Sequence, residues 1–200
     1  MTVEEYKELL KKRLTEKRYY HSLCVADEAE RLAEKYGANP DEMYLAGLLH
    51  DITKNINDEE QLKLFEKFGI MLTAEEKASP LIWHAITGAL TVEHELGIKN
   101  EAIISAIRFH TTGKADMTLE QKIIFVADLT AADRNYPDID EIRLKVDRSL
   151  EECMLGILEF TIKDIVSKEK PLHPDTLRAY NYLITQNIGK EARKWKRFIY

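Results

Sequence analysis

Glycine and proline are scarce in this chain, which has only 8 glycines and 5 prolines among its 200 residues. Together these two residue types are about half as frequent as in typical proteins, where they make up roughly 12% of the residues. So few turn-forming residues exclude collagen-like, low-complexity and loop-rich all-β proteins. A chain of this length is usually one domain that buries about 70% of its unfolded surface. We therefore expect one sizeable hydrophobic core.

Cysteine is nearly absent too. Cys24 and Cys153 are the two cysteines, and no CxxC motif occurs, which indicates two reduced, buried thiols instead of a disulfide framework. The first residues, MTVEEYKELLKK, contain no apolar segment of the kind found in signal peptides. No apolar run approaches the roughly 18 residues that span a membrane. We expect a cytoplasmic protein without membrane association.

An excess of positive charge is also missing, because 29 Lys and Arg residues face 35 Asp and Glu residues, for a formal charge of −6. This balance argues against a protein that coats nucleic acid, since phosphate-backbone affinity is built from clustered Lys and Arg. A small polyanion remains open if positive charge is supplied locally. The basic, aromatic segment KEARKWKRFIY at 190–200 is interpreted as a solvated last helix with a docked aromatic edge.

Hydrophobic periodicity is helical almost throughout, and no sustained alternation of the strand type occurs. Capping boxes at Thr2 with Glu5, Thr73 with Glu76 and Thr118 with Gln121 predict three helix starts. The pattern predicts an all-α fold of many helices. Helices are predicted over 21–36, 40–52, 58–69, 84–95, 101–110, 119–133 and 140–168. Three further helices are predicted to begin near Thr2, Thr73 and Pro174.

Ionisable side chains interrupt helix faces that otherwise have a buried character. An isolated buried carboxylate is very costly, so it must be paired, protonated or bound to a metal. Imidazole nitrogen and carboxylate oxygen are the donors expected around Fe, Mn or Zn. A single histidine of this kind is usually a satisfied core residue, but the joint pattern favours a metal centre. Its members are His21, His50, Asp51, His84, His110 and Asp128.

The two remaining histidines differ from this set. His94 lies between Glu93 and Glu95, so we expect it on the surface. His173 precedes Pro174 near a helix start, which favours a cap or loop residue over a substrate contact.

The order His21, His50-Asp51, Asp128 resembles the HD superfamily of metal-dependent phosphohydrolases, an all-α fold. The segments YYHSLCVADEAERLA, AGLLHDITK, LIWHAITGA, AIRFHTTG and FVADLTAADR are similar to one bacterial branch, the YqeK-type symmetrical dinucleoside tetraphosphate hydrolases. The similarity covers about residues 15–136, with a looser likeness in PLHPDTLRAYNYL. It implies a single HD domain over 1–200, with the C-terminal helices 140–200 packed on that domain.

The resemblance implies one or two bound metal ions, with iron favoured and Mn, Ni or Zn open. It assigns His21, His50, Asp51 and Asp128 as the metal ligands. His84 and His110 would bind a second metal or contact phosphate, and the sequence leaves both roles open. The catalytic groups would be Asp51, Lys54, His84 and His110.

Phosphate contacts need cations and hydrogen-bond donors. Lys54 follows His50 by four residues and shares its helix face, while a guanidinium matches phosphate oxygens with two parallel hydrogen bonds. An ordinary surface ion pair explains each arginine equally well. The expected substrate-binding set is Arg18, Lys54, His84, His110, Thr111, Arg134 and His173.

The function implied by the resemblance is cleavage of diadenosine tetraphosphate at the middle of its phosphate chain, giving two ADP. Another HD phosphohydrolase, such as a nucleotidase or phosphodiesterase, is the alternative within enzymes. A non-catalytic HD-like adaptor or sensor is the alternative from another class. The expected partner is a small nucleotide, with no nucleic acid and no membrane, and both a monomer and a homodimer stay open.

Overall fold

Helices make up the regular structure of the computed structural model, which describes residues 1–136 and 139–186 and has no strand within those ranges. A 3₁₀ turn at Pro80–Ile82 precedes α6, and a π-helical turn at Thr91–Glu95 follows it. The helices are α1 (Val3–Arg13), α2 (Glu16–Tyr36), α3 (Pro40–Leu49), α4 (Asp58–Lys67), α5 (Ala74–Lys77), α6 (Trp83–Leu90), α7 (Glu101–Phe109), α8 (Leu119–Thr130), α9 (Ile139–Val146), α10 (Leu150–Ser167) and α11 (Pro174–Thr185).

Helix starts follow the local capping signals. The capping boxes at Thr2, Thr73 and Thr118 are all present, and Asn39 caps α3 ahead of Pro40. Each side-chain oxygen accepts a backbone N–H that the helix itself cannot satisfy. The predicted all-α class and these helix starts are therefore confirmed.

Several predicted helix boundaries are wrong. The single helix predicted over 140–168 is two helices, because Ser149 accepts the amide N–H of Glu152 and starts α10 anew. The predicted helix over 119–133 ends at Thr130. The one predicted over 40–52 ends at Leu49, so a turn follows it. The helix predicted from His21 begins five residues earlier, where Thr15 caps α2.

The core is built around α2, which packs on α3 and α8. Helix α7 packs on α3, α6 and α8, and α10 packs on α8, α9 and α11. Gly47 allows the closest approach, because a Cβ at this position would lie 2.9 Å from both Ala26 Cα and Val25 O. Helices α2 and α3 are thus held backbone to backbone beside the residues that carry the site.

The remaining sequence expectations concern other parts of the molecule. Cys24 and Cys153 are free and buried, as expected. No helix in the described ranges is long and apolar enough to span a membrane. The segment at 190–200, interpreted as a solvated helix, lies outside the described residues, and a single domain over the whole chain stays a prediction.

Candidate metal centre

Six donor residues from five parts of the fold converge in the interior. Groups of three place one donor atom each within 4.8 Å of one another, namely His21 with His50 and Asp51, His50 with His110 and Asp128, and Asp51 with His84 and His110. His21 lies in α2 and Asp128 in α8, whereas His50 and His110 directly follow α3 and α7. The structure therefore brings together the four predicted metal ligands and both additional histidines.

The geometry around His50 leaves one ring nitrogen free. His50 Nδ1 lies 2.6 Å from the carbonyl oxygen of Gly47, to which it donates. This fixes Nε2 towards the carboxylates, 3.3 Å from Asp51 Oδ2 and 3.9 Å from Asp128 Oδ1. Nε2 is fully buried without a hydrogen-bond partner among the described residues.

A buried nitrogen without a partner is costly, and native structures rarely leave one unexplained. Here the unsatisfied atom faces two carboxylates and further imidazoles, which is the donor chemistry of a transition-metal site. The residues present therefore fit a bound metal ion.

Two neighbours in sequence reach the same site directly after α3. Helix α3 ends at Leu49, and His50 and Asp51 lie in the turn that follows, with His50 still at helical backbone angles. Asp51 Oδ1 also lies 3.2 Å from His84 Nε2. The carboxylate of Asp51 is thus close to both His50 and His84.

The side chains of this centre shift one another's pKa. Burial would lower the pKa of His50, but Asp51 and Asp128 outweigh it and raise that pKa. Burial alone would raise the pKa of Asp51, but His50 and His84 outweigh it and hold that pKa well below its usual range. Burial is likewise outweighed at Asp128, where the contact with His21 and the charge of Arg134 lower the pKa. Burial lowers the pKa of His110 to about 3 and also lowers that of His84. Ionised carboxylates and neutral imidazoles are the forms that bind metals.

Three predicted cationic side chains surround the donors. Arg18 donates to Asp51 Oδ2 over 2.8 Å. Lys54 Nζ lies 3.1 and 3.2 Å from the two ring nitrogens of His84. Arg134 donates to the backbone oxygen of Asp128 over 2.6 Å and also to its carboxylate. Local positive charge is therefore present in a chain whose formal charge is −6.

The two remaining predicted substrate contacts are His173 and Thr111. His173 caps α11 by accepting the amide N–H of Asp175, and its Nε2 lies 3.8 Å from Glu76 Oε1. The cap interpretation of His173 agrees with this position. The Thr111 hydroxyl is buried without a hydrogen-bond partner among the described residues. His94 is on the surface, as expected, and stacks on Phe68.

Sequence reasoning missed Asp133 and treated it as the end of α8. Its two carboxylate oxygens lie 2.9 and 3.1 Å from His21 Nδ1. The available signal was an acidic residue next to Arg134, shortly after Asp128, but a surface ion pair gives the same pattern.

A helical domain that buries histidines and aspartates in the order H…HD…D defines a class of metal-binding protein. Residues 18–133 match the HD domain family, and the chain belongs to that family. The relatives include proteins named symmetrical bis(5'-nucleosyl)-tetraphosphatase. One from Bacillus subtilis is 35% identical over 92% of this chain and 99% of that protein. One from Halalkalibacterium halodurans is 37% identical over 90% and 95%.

A solved structure supports the fold independently. A crystal structure from Clostridium acetobutylicum, described as a predicted HD superfamily hydrolase involved in NAD metabolism, has a TM-score of 0.90 and 34% identity. The match covers 93% of this chain and 98% of that one. The resemblance found in the sequence and the HD fold are confirmed.

Proposed function

We propose that this protein is a metal-dependent hydrolase that cleaves diadenosine tetraphosphate symmetrically into two ADP. The observation that carries the proposal is the buried Nε2 of His50, which has no hydrogen-bond partner within the described part of the chain. It lies in a set of imidazoles and carboxylates that cationic side chains surround. The names of the relatives at 35% and 37% identity support this substrate.

The proposed metal ligands are His21, His50, Asp51 and Asp128. Asp51 also faces His84 and His110, so one or two ions fit, and these histidines either complete a second metal site or contact phosphate. The family resemblance favours iron, while Mn, Ni and Zn suit the same donors. Such an ion would polarise a phosphoryl oxygen and would lower the pKa of bound water towards ~7.

The side chains of the protein have distinct tasks in this reaction. Arg18 and Arg134 bind phosphate oxygens with paired N–H donors, and Lys54 stabilises the negative charge that develops at the attacked phosphorus. Asp51 stays ionised because of its neighbours, so its carboxylate can accept a hydrogen bond from the attacking water and orient it. His84 and His110 are neutral at ordinary pH because burial lowers their pKa. Thr111 and His173 stay predicted substrate contacts.

We further propose that the chain is one domain that acts in the cytoplasm on a small nucleotide. Its two buried free thiols and its negative charge support the compartment and the absence of nucleic-acid partners. Analytical ultracentrifugation decides between the monomer and the homodimer.

The experiment that tests the function is hydrolysis of diadenosine tetraphosphate by the metal-loaded protein, with products separated by anion-exchange chromatography. We expect ADP as the product. AMP together with ATP would contradict symmetrical cleavage. A panel of mononucleotides, cyclic nucleotides and NAD under the same metal condition tests the alternative phosphohydrolases. Elemental analysis tests the adaptor alternative, which predicts no bound metal at any stoichiometry.

A variant at His50 links the activity to the site. His50→Ala should lose both metal and turnover, while its helical circular dichroism persists. His94→Ala is the matched control, because His94 is exposed and stacks on Phe68, and it should retain both. Full turnover in His50→Ala would refute the proposed site.

A further inference from the structure

The turn that follows α8 returns to the metal centre through Asp133. Both carboxylate oxygens of Asp133 contact His21 Nδ1, at 2.9 and 3.1 Å. The opposite ring nitrogen, Nε2, lies 2.9 Å from Asp128 Oδ1. The imidazole is only 3% exposed, so each nitrogen of His21 has a carboxylate partner inside the protein.

We propose that Asp133 is a positioning residue for the metal centre. It holds the proton of His21 on Nδ1 and fixes the ring, so that the Nε2 lone pair points at the metal. A metal-binding histidine generally donates its other N–H to such a partner, which sets its tautomer and orientation. The inference rests on the metal centre in the proposed function and adds a residue that the H…HD…D order does not contain.

Position within the helices explains why His21 needs a partner from elsewhere in the chain. His50 and His110 follow the ends of their helices, where backbone carbonyls are free of intrahelical bonds. Their Nδ1 atoms donate to Gly47 O and Ile107 O, at 2.6 and 2.7 Å. His21 lies inside α2, where the carbonyls of the preceding turn already accept helix hydrogen bonds. An acceptor for its Nδ1 must therefore come from another element.

The turn that supplies this acceptor is itself held in place. Arg143, on α9, donates to the carbonyl oxygens of Thr130, Ala131 and Arg134. These bonds give side-chain donors to carbonyls at and just beyond the end of α8. The same turn carries Arg134, which donates to Asp128. Asp133 and Arg134 thus act on two neighbouring metal ligands from one fixed turn.

The first test measures metal affinity and does not depend on turnover. Metal-free protein is titrated with Zn²⁺ in competition with a chromophoric chelator, for wild type, Asp133→Ala and Asp133→Asn. We expect Asp133→Ala to bind Zn²⁺ roughly 10–100-fold more weakly. Asp133→Asn keeps an oxygen that accepts from Nδ1, so its loss should be smaller. Asp147→Ala is the matched control and should bind like wild type, because Asp147 pairs with Arg31 and Lys35 on the surface.

Two results of this titration would overturn the proposal. One is wild-type affinity in Asp133→Ala, and the other is a loss in Asp133→Asn as large as that in Asp133→Ala. Circular dichroism of the metal-free variants, which should match wild type, separates a local effect from unfolding.

A second measurement uses the unmodified protein, so it stands even where a variant fails to fold. Long-range ¹H–¹⁵N spectra of the Zn²⁺-loaded wild type report which nitrogen of His21 carries the proton. We expect the proton on Nδ1, and coordination through Nδ1 would overturn the proposal. Both readouts are independent of hydrolysis, so failure of the proposed substrate would leave them unchanged.

Discussion

Lys54 shows how one side chain is prepared for a polyanion. Its ammonium lies against both ring nitrogens of His84, at 3.1 and 3.2 Å. Burial lowers the pKa of Lys54, with Asp51 opposing and Arg18 reinforcing the effect. A cation that has little water around it interacts strongly with charge that develops nearby. Lys54 is therefore matched to stabilising a phosphate during hydrolysis.

Replacing Lys54 should impair catalysis while leaving the metal in place. We expect Lys54→Met to lower kcat by about 10²–10³-fold, the usual cost of removing one preorganised donor to a developing negative charge. The measurement pairs steady-state hydrolysis of diadenosine tetraphosphate with elemental analysis. Lys63→Met is the matched control, because Lys63 pairs with Glu59 on the exposed face of α4. Unchanged kcat, or loss of the metal, would contradict this role.

At the scale of residues, sequence identifies donors better than it identifies their partners. The apolar surroundings of His50 and Asp128 are visible locally, and the two residues do converge. The contact between His21 and Asp133 joins residues 112 positions apart, and the acidic residue beside Arg134 does not by itself distinguish this contact from a surface ion pair. His173 is the opposite case, because its local sequence predicts its partner correctly. Its position before Pro174 predicts the helix cap that the structure shows, whereas the family resemblance predicts a substrate contact.

At the scale of elements, helix starts are local features and several helix ends are not. Side-chain caps such as Thr118 are encoded within three residues of the start. At the end of α8, by contrast, the carbonyl oxygens of Thr130 and Ala131 accept hydrogen bonds from Arg143, which lies on α9. The local sequence pattern does not contain this contact. It therefore predicted a helix that continues to Asp133 and missed the turn that contacts His21.

The contact between α2 and α3 gives a test at this scale. Gly47→Ala would place a methyl group 2.9 Å from the backbone of Ala26 and Val25. Backbone atoms cannot move aside as a flexible side chain can, so the helices must separate. We expect a loss of about 1–3 kcal/mol in the free energy of unfolding, as for other overpacked cores. Urea denaturation followed by circular dichroism measures it.

Gly156 provides the matched control for this prediction. It lies within α10, and a Cβ at this position would meet only the end of the Lys145 side chain, 3.6 Å away. Replacing a mid-helix glycine by alanine stabilises by roughly 0.5–1 kcal/mol when space permits. Gly156→Ala should therefore stabilise the protein. If Gly47→Ala also leaves the free energy of unfolding undiminished, the close approach of α2 and α3 does not restrict this position to glycine.

At the scale of the whole molecule, the metal centre joins distant parts of the chain. Its donors run from His21 to Asp128 and come from α2, α8 and the segments around α3, α6 and α7. Unfolding scatters them, so the unfolded chain offers no comparable site. The formal charge of −6 includes Asp51 and Asp128, whose ionised forms are held together by neighbouring cations and imidazoles. A bound cation should therefore favour the folded state.

Metal binding should raise thermal stability by an amount set by mass action. At free metal 100 times its dissociation constant, the gain is about 2.7 kcal/mol. For a domain of this size each kcal/mol shifts Tm by about 2–4 °C, so we expect a rise of roughly 5–11 °C. Differential scanning calorimetry with Mn²⁺ or Zn²⁺, reversed by a chelator, measures it. His50→Ala should show a much smaller shift, because its Nε2 donor is gone. Equal shifts in wild type and His50→Ala would mean that the metal stabilises the fold from outside this centre.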